Sequence, residues 1–248
     1  RGYQYKDCAV LYRANFQSRT IEETFSQMKI PYHIENGLNF YQRSEVRHLL
    51  DYLRVISSPD SDDGDDALKS ILNVPNRYIS RKFVQELTEF SSKQNVHLYE
   101  GLKLLPVDLP YLRINVKNFI KLMSPLVDFA PNLEPSEVIQ TLRNELDYDR
   151  WCTDEDVPQP DDAKIANLNQ LQLSAARYSS IRDFLEYTDS FDEQMSNDKK
   201  GVALMTIHKS KGLEFPCVFC IGLVDGISPT KKGDIEEERR IVFVAISR

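Results

Sequence analysis

The sequence predicts an α/β domain assembled from both ends of the chain and interrupted by a mainly α-helical insertion. Three observations point there. Apolar runs of strand length lie near both ends, at 8–12 and 202–207, whereas residues 67–191 carry helical periodicity almost throughout. Charge divides the same way: residues 1–54 hold 8 Lys+Arg against 6 Asp+Glu, residues 199–248 hold 9 against 6, and the stretch between holds 14 against 26. Mildly basic ends around a strongly acidic middle suggest two domains with different partners. The texture places the first part of the α/β domain at 1–58, the helical insert at 59–198 and the second part at 199–248. With 41% hydrophobic residues in 248, the chain has apolar content for a sizeable core.

Each element has its own signal. Residues 8–12 form a short apolar strand. Thr20 and Glu23 fit a capping box ahead of a helix whose apolar stripe is Ile21, Phe25 and Met28. Residues 30–34 read as an edge strand, since Pro31 cannot donate to a ladder, and Gly37 turns the chain. Val46, Leu49, Leu50 and Leu53 mark one face of a second helix, which Pro59 follows. Residues 60–66, acidic and polar, are a hinge candidate. Helices are expected at 67–72, 82–91, 113–123, 136–145, 163–176 and 181–191, with a Pro/Asp-rich break at 154–162 and a second hinge at 197–201. Strand texture returns at 202. Residues 236–248 read as a helix with acidic residues in its first turn and Arg239 and Arg240 after them, as the helix dipole favours; Ile235, Val242 and Ile246 fall near one face.

Bulk properties exclude several classes. The net charge of −7 argues against a uniformly basic nucleic-acid binder. No apolar run approaches the roughly 20 residues of a membrane span, and no signal-peptide pattern opens the chain. The start, Arg1-Gly2-Tyr3-Gln4, is that expected of an interior cut in a longer protein. Cys8, Cys152, Cys217 and Cys220 are too few and scattered for a disulfide scaffold, so a reducing, cytoplasmic setting is expected. Cys217 and Cys220 have metal-type spacing but lie inside an apolar run. Residues three apart on a strand face opposite sides, and no second ligand pair exists, so they read as core cysteines and no metal site is expected.

Chemistry concentrates where strands end. Beyond the run 202–207 come His208-Lys209-Ser210-Lys211-Gly212-Leu213-Glu214, at the edge where open α/β sheets bind ligands. Thr206 and His208 would alternate on one face of the strand's end, and a hydroxyl and an imidazole suit phosphate or sugar contacts. Lys209 and Lys211 add charge, and Gly212 permits close backbone approach. The first strand would deliver Tyr12 and Arg13 to the same edge. An aromatic face there can stack on a purine, and a guanidinium can bind phosphate oxygens in bidentate fashion. The chain contains no Gly-x-x-x-x-Gly-Lys-Ser/Thr phosphate cradle and no acidic strand end of the kind that holds Mg²⁺.

Ala9-Val10-Leu11-Tyr12-Arg13-Ala14-Asn15-Phe16-Gln17-Ser18-Arg19 resembles motif IV of the UvrD/Rep/PcrA-like superfamily 1 DNA helicases. Residues 201–216 resemble their motif V, and residues 236–248 their motif VI. The resemblance implies a RecA-like, P-loop NTPase-type domain without its own P-loop, the second of two, interrupted by a helical insertion of the 2B type. It implies an ATP-dependent 3′-to-5′ helicase, with Mg²⁺ held by an N-terminal RecA-like domain that precedes this chain. Its DNA partners would be single strands and single/double-strand junctions. On this alignment Tyr12 packs on the adenine and Arg13 reaches the γ-phosphate. Gly212 and Glu214 lie at the nucleotide, Glu214 on the ribose hydroxyl. Arg248 is the arginine finger, catalytic together with Arg13, while Thr206, His208 and Lys211 face single-stranded DNA. Ser247 stands where the family usually has Thr. Asn73-Val74-Pro75-Asn76-Arg77 resembles the lead-in to a duplex-contacting Gly-Ile-Gly hairpin, but Tyr78-Ile79-Ser80 follows, and an acidic insert is not expected to grip duplex. Two alternatives stay open: the motor part of a helicase–nuclease subunit, and a non-catalytic interaction module with a degenerate nucleotide face.

Overall fold

The first apolar run forms β1 (Cys8–Tyr12). In the computed structural model, residues 2–35, 37–154, 162–194, 200–229 and 234–247 are described. After β1 comes α1 (Ser18–Gln27), which starts before the expected capping box. Thr20 lies inside the helix, and Glu23 is engaged by Arg19 and by the Tyr41 hydroxyl at 3.0 Å, so the box does not form. The expected stripe also fails at Met28, which is 67% exposed. The short edge strand is β2 (Tyr32–Ile34).

The helices follow, beginning with α2 (Ser44–Ser57) and α3 (Asp62–Ile71). α3 occupies the segment expected as a hinge. Ser61 Oγ accepts from the Gly64 N–H at 3.0 Å, and Asp62, Asp63 and Asp65 fill the first turn, where the helix dipole favours carboxylates. Local charge there starts a helix. Next are α4 (Arg81–Gln94), α5 (Leu98–Leu104) and α6 (Pro110–Phe129). Then come α7 (Pro135–Glu145), α8 (Tyr148–Thr153), α9 (Ala163–Ala175) and α10 (Ile181–Gln194). α5 and α8, of 7 and 6 residues, are too short to show a periodic stripe. Most of the expected breaks at 154–162 and 197–201 lie outside the described residues. The chain returns as β3 (Val202–Thr206) and β4 (Cys217–Cys220) and closes with α11 (Ile235–Ile246).

The chain divides into two units, residues 1–43 with 188–248, and residues 44–187. In the first, a parallel sheet has the order β2-β3-β1-β4, with Tyr12 level with Thr206 and Leu11 with Cys220. β2 sits at an edge, as Pro31 requires, and the Pro31 carbonyl accepts the Val202 N–H at 2.9 Å. The two-residue side-chain period splits the sheet cleanly. Ala9, Leu11, Ala203 and Met205 pack with Ile207 against Ile241 and Ala245 of α11. Val10, Tyr12, Tyr32, Val202 and Leu204 pack on the other face with Ile21 and Phe25 of α1. The α11 face therefore differs from expectation: Ile235 and Ile246 are exposed, and Glu238, Ile241 and Ala245 are buried. All four cysteines are free, and burial pushes the thiols of Cys8 and Cys220 up and that of Cys152 to about 12.

The second unit is built around α2, which contacts α3, α6, α7 and α9. The sequence texture kept this helix with the first segment. Its burial of Val46, Leu49, Leu50, Tyr52, Leu53, Val55 and Ile56 explains why it groups with the helical unit. Buried polar groups pin the packing. Glu45 accepts from Asn167 Nδ2 at 2.6 Å, and its carbonyl accepts the Tyr148 hydroxyl at 2.9 Å. Arg143 reaches Asp149, Asn169 and Gln172. Among the described residues no helix is long and apolar enough to cross a membrane.

Candidate nucleotide and nucleic-acid site

Because every strand of the sheet is parallel, the segments leaving β1, β3 and β4 emerge at one edge. Gln17 shapes the turn after β1: its Oε1 accepts the N–H groups of Arg13 and Ala14 at 3.0 and 2.9 Å. Gln17 also packs against Gly222 beyond β4, where any side chain would strike its amide. The turn leaves the Arg13 side chain 23% exposed.

Arg13 meets α11 across the site. Nε donates to both carboxylate oxygens of Glu238 at 3.1 Å, and Nη2 donates to Oε1 at 2.8 Å. The Glu238 side chain is 5% exposed, and the Ser228 hydroxyl donates to it at 3.4 Å. Residues 225 apart in sequence are thereby joined. The pairing of the motif IV-like and motif VI-like segments was not legible beforehand. A glutamate in the first turn of a helix reads as dipole complement, and only the packing of α11 turns Glu238 inward.

Tyr12 departs from expectation. Its ring is 1% exposed, packed with Tyr32 and Leu204 beneath α1, so it offers no open aromatic face to a base. Burial pushes its hydroxyl well above the ordinary tyrosine value. The polar layer under α1 is continuous: Arg43 donates to Ser18 Oγ at 2.7 Å, and Glu22 accepts the Phe40 N–H at 3.1 Å. Burial pushes the Glu22 carboxyl up, against smaller opposing pulls from Ser18, the Phe40 amide and Arg43.

Beyond β3 the expected strand-end alternation is absent. Thr206 Oγ1 accepts the Lys209 N–H at 3.4 Å and starts a 3₁₀ turn over Ile207–Ser210. Thr206 is half-buried, while His208 rides the turn, exposed. Lys211, Gly212 and Glu214 are exposed in the loop to β4, and Gly212 has φ +87°, a conformation that favours glycine. Arg248 lies outside the described residues. Among the described residues, the His/Cys/Asp/Glu cluster with ligand-type proximity is Asp62, Asp65 and His97, in the helical unit. There Asp65 accepts the Leu98 N–H at 2.7 Å, and His97 Nδ1 lies 3.1 Å from its other oxygen; these are contacts at the start of α5.

The motif strings, the parallel sheet and the Arg13–Glu238 bridge coincide with a family match along the chain's whole length. A model described as the UvrD-like helicase C-terminal domain matches residues 1–248. The chain belongs to that family. The RecA-like fold of the family is consistent with the parallel sheet covered on both faces. Relatives include the ATP-dependent DNA helicase Rep of Buchnera aphidicola subsp. Acyrthosiphon pisum, 33% identical over 268 residues, covering 99% of this chain and 41% of that protein. The ATP-dependent DNA helicase PcrA of Staphylococcus epidermidis is 31% identical over 269 residues, covering 100% and 36%. Rep of Salmonella typhimurium is 33% identical over 274 residues, covering 99% and 39%. The chain thus spans about two-fifths of the length of the relatives it matches.

Proposed function

We propose that this chain is the C-terminal part of an ATP-dependent 3′-to-5′ DNA helicase or translocase and forms one wall of a split ATP site. Unit 1–43 with 188–248 acts as the second RecA-like domain, and the helical unit as its 2B-type insertion. The observation that carries this reading is Arg13, held by Glu238 at the carboxyl edge of a parallel sheet with its side chain 23% exposed. A planar donor at that edge suits a phosphate oxygen whose charge grows during phosphoryl transfer. Tyr12, buried, carries Arg13 to the edge in place of stacking on the base.

Glu214 and Gly212 line the nucleotide side of the loop after β3, while Thr206, His208 and Lys211 face single-stranded DNA. Arg248 serves as arginine finger. The carboxylates for Mg²⁺ and the phosphate cradle come from an N-terminal RecA-like domain, in keeping with a sequence that has no phosphate loop. One loop serving both ligands gives a direct route for ATP state to alter grip on DNA.

The test is Arg13→Ala in the full-length protein. DNA-stimulated ATP hydrolysis should fall by about 10²-fold or more, in line with loss of a transition-state donor. Single-stranded DNA affinity without nucleotide should stay within about threefold, because phosphate-positioning contacts to DNA lie elsewhere. Turnover like the parent's rejects the assignment. Arg248→Ala should show the same loss, and Thr206→Ala with His208→Ala the converse pattern, weak DNA binding with ATP affinity retained.

A further inference from the structure

We propose that Glu238 is a positioning residue for phosphoryl transfer: its carboxylate fixes the plane of the Arg13 guanidinium so that the remaining edge faces a nucleotide phosphate. The inference rests on the reading of Arg13 given above. An arginine side chain on a turn samples many rotamers, and its planar fork contributes to a transition state only when its orientation is set beforehand. Glu238 supplies that orientation. It takes the edge formed by Nε and Nη2 with three contacts of 3.1, 3.1 and 2.8 Å, the fork geometry of strong Arg–carboxylate pairs. Nη1 makes no hydrogen bond among the described residues, so the guanidinium keeps donors to offer while its plane is held.

The carboxylate is itself held. Glu238 lies in the first turn of α11, its N–H donates to the Asp234 carbonyl at 2.9 Å, and the Ser228 hydroxyl reaches its Oε2. Ile241 and Ala245, on the same face of α11, are packed into the sheet core. The donor on the β1 turn is thereby referenced to α11, whose Ile241 and Ala245 are anchored on the sheet. A buried ion pair of purely structural value would destabilise the fold when broken, whatever Arg13 does in catalysis. A positioning pair must lose its effect once Arg13 is gone.

The decisive measurement is a double-mutant cycle on DNA-stimulated ATP turnover in the full-length protein. Glu238→Ala should lower kcat by about tenfold or more with KM for ATP changed by less than about threefold, and Arg13→Ala/Glu238→Ala should be no slower than Arg13→Ala alone within about twofold. Glu238→Gln keeps one acceptor oxygen for the fork and should recover turnover to within about fivefold of the parent. Where Glu238→Ala does not fold, the cycle is read with Glu238→Asp, which keeps the charge but withdraws it by one methylene. Multiplicative losses in the cycle, or turnover like the parent's in Glu238→Ala, overturn the inference. An Arg13→Ala variant of normal activity instead overturns the proposed role of Arg13, and the two failures are distinguishable.

Discussion

Glu22 shows how a single buried carboxyl shapes the pH response of the sheet unit. Its folded pKa is raised by burial, so the folded chain binds the proton more tightly than the unfolded chain does. Stability from this group is therefore full below the ordinary glutamate value and is lost as pH rises through the folded value. Glu22→Gln keeps an acceptor for the Phe40 N–H and removes the titration. It should stabilise the fold at pH 7 and leave it unchanged near pH 4, read as melting temperature against pH. Equal melting shifts at both pH values would count against a raised Glu22 pKa. Gly201 is a steric case. A Cβ there would lie 2.5 Å from the backbone of Pro31 and Tyr32. Gly201→Ala must push β2 from β3 and should cost about 1–3 kcal/mol in denaturant titration.

At the scale of elements, the departures from sequence expectation share a cause. Residues 60–66 look like a linker by composition, yet Ser61 and three aspartates make them the start of α3. Ser61→Ala should cost about 1 kcal/mol of stability by removing the acceptor for Gly64 N–H, measured as a shift in the denaturant midpoint at constant slope. α1 was legible as a helix, and Ile21 and Phe25 of its expected stripe do pack on the sheet, but its second buried face was not legible. That face is a polar layer of Ser18, Arg19, Glu22, Glu23 and Ser26, in which Ser18, Glu22 and Glu23 bond to Arg43, Phe40 and Tyr41. Periodicity finds apolar stripes and is blind to buried polar ones. α11 has the same history, since its inward residue at the site is Glu238.

For the whole molecule, the proposed split site makes a plain prediction: residues 1–248 alone should hydrolyse ATP no faster than a blank, with or without single-stranded DNA. Turnover above background would overturn the split-site reading, since this sequence has no phosphate loop of its own. Motif strings and strand-length apolar runs are local signals, and they sufficed to reach the family and the α/β character. The same kind of local signal shows no Gly-x-x-x-x-Gly-Lys-Ser/Thr string in these 248 residues. Packing, by contrast, groups α2 with the helical unit, seals the Tyr12 ring under α1 and pairs Arg13 with Glu238. Each of these depends on which face of an element is covered by segments distant in sequence, and burial by such segments leaves no periodic trace in the chain.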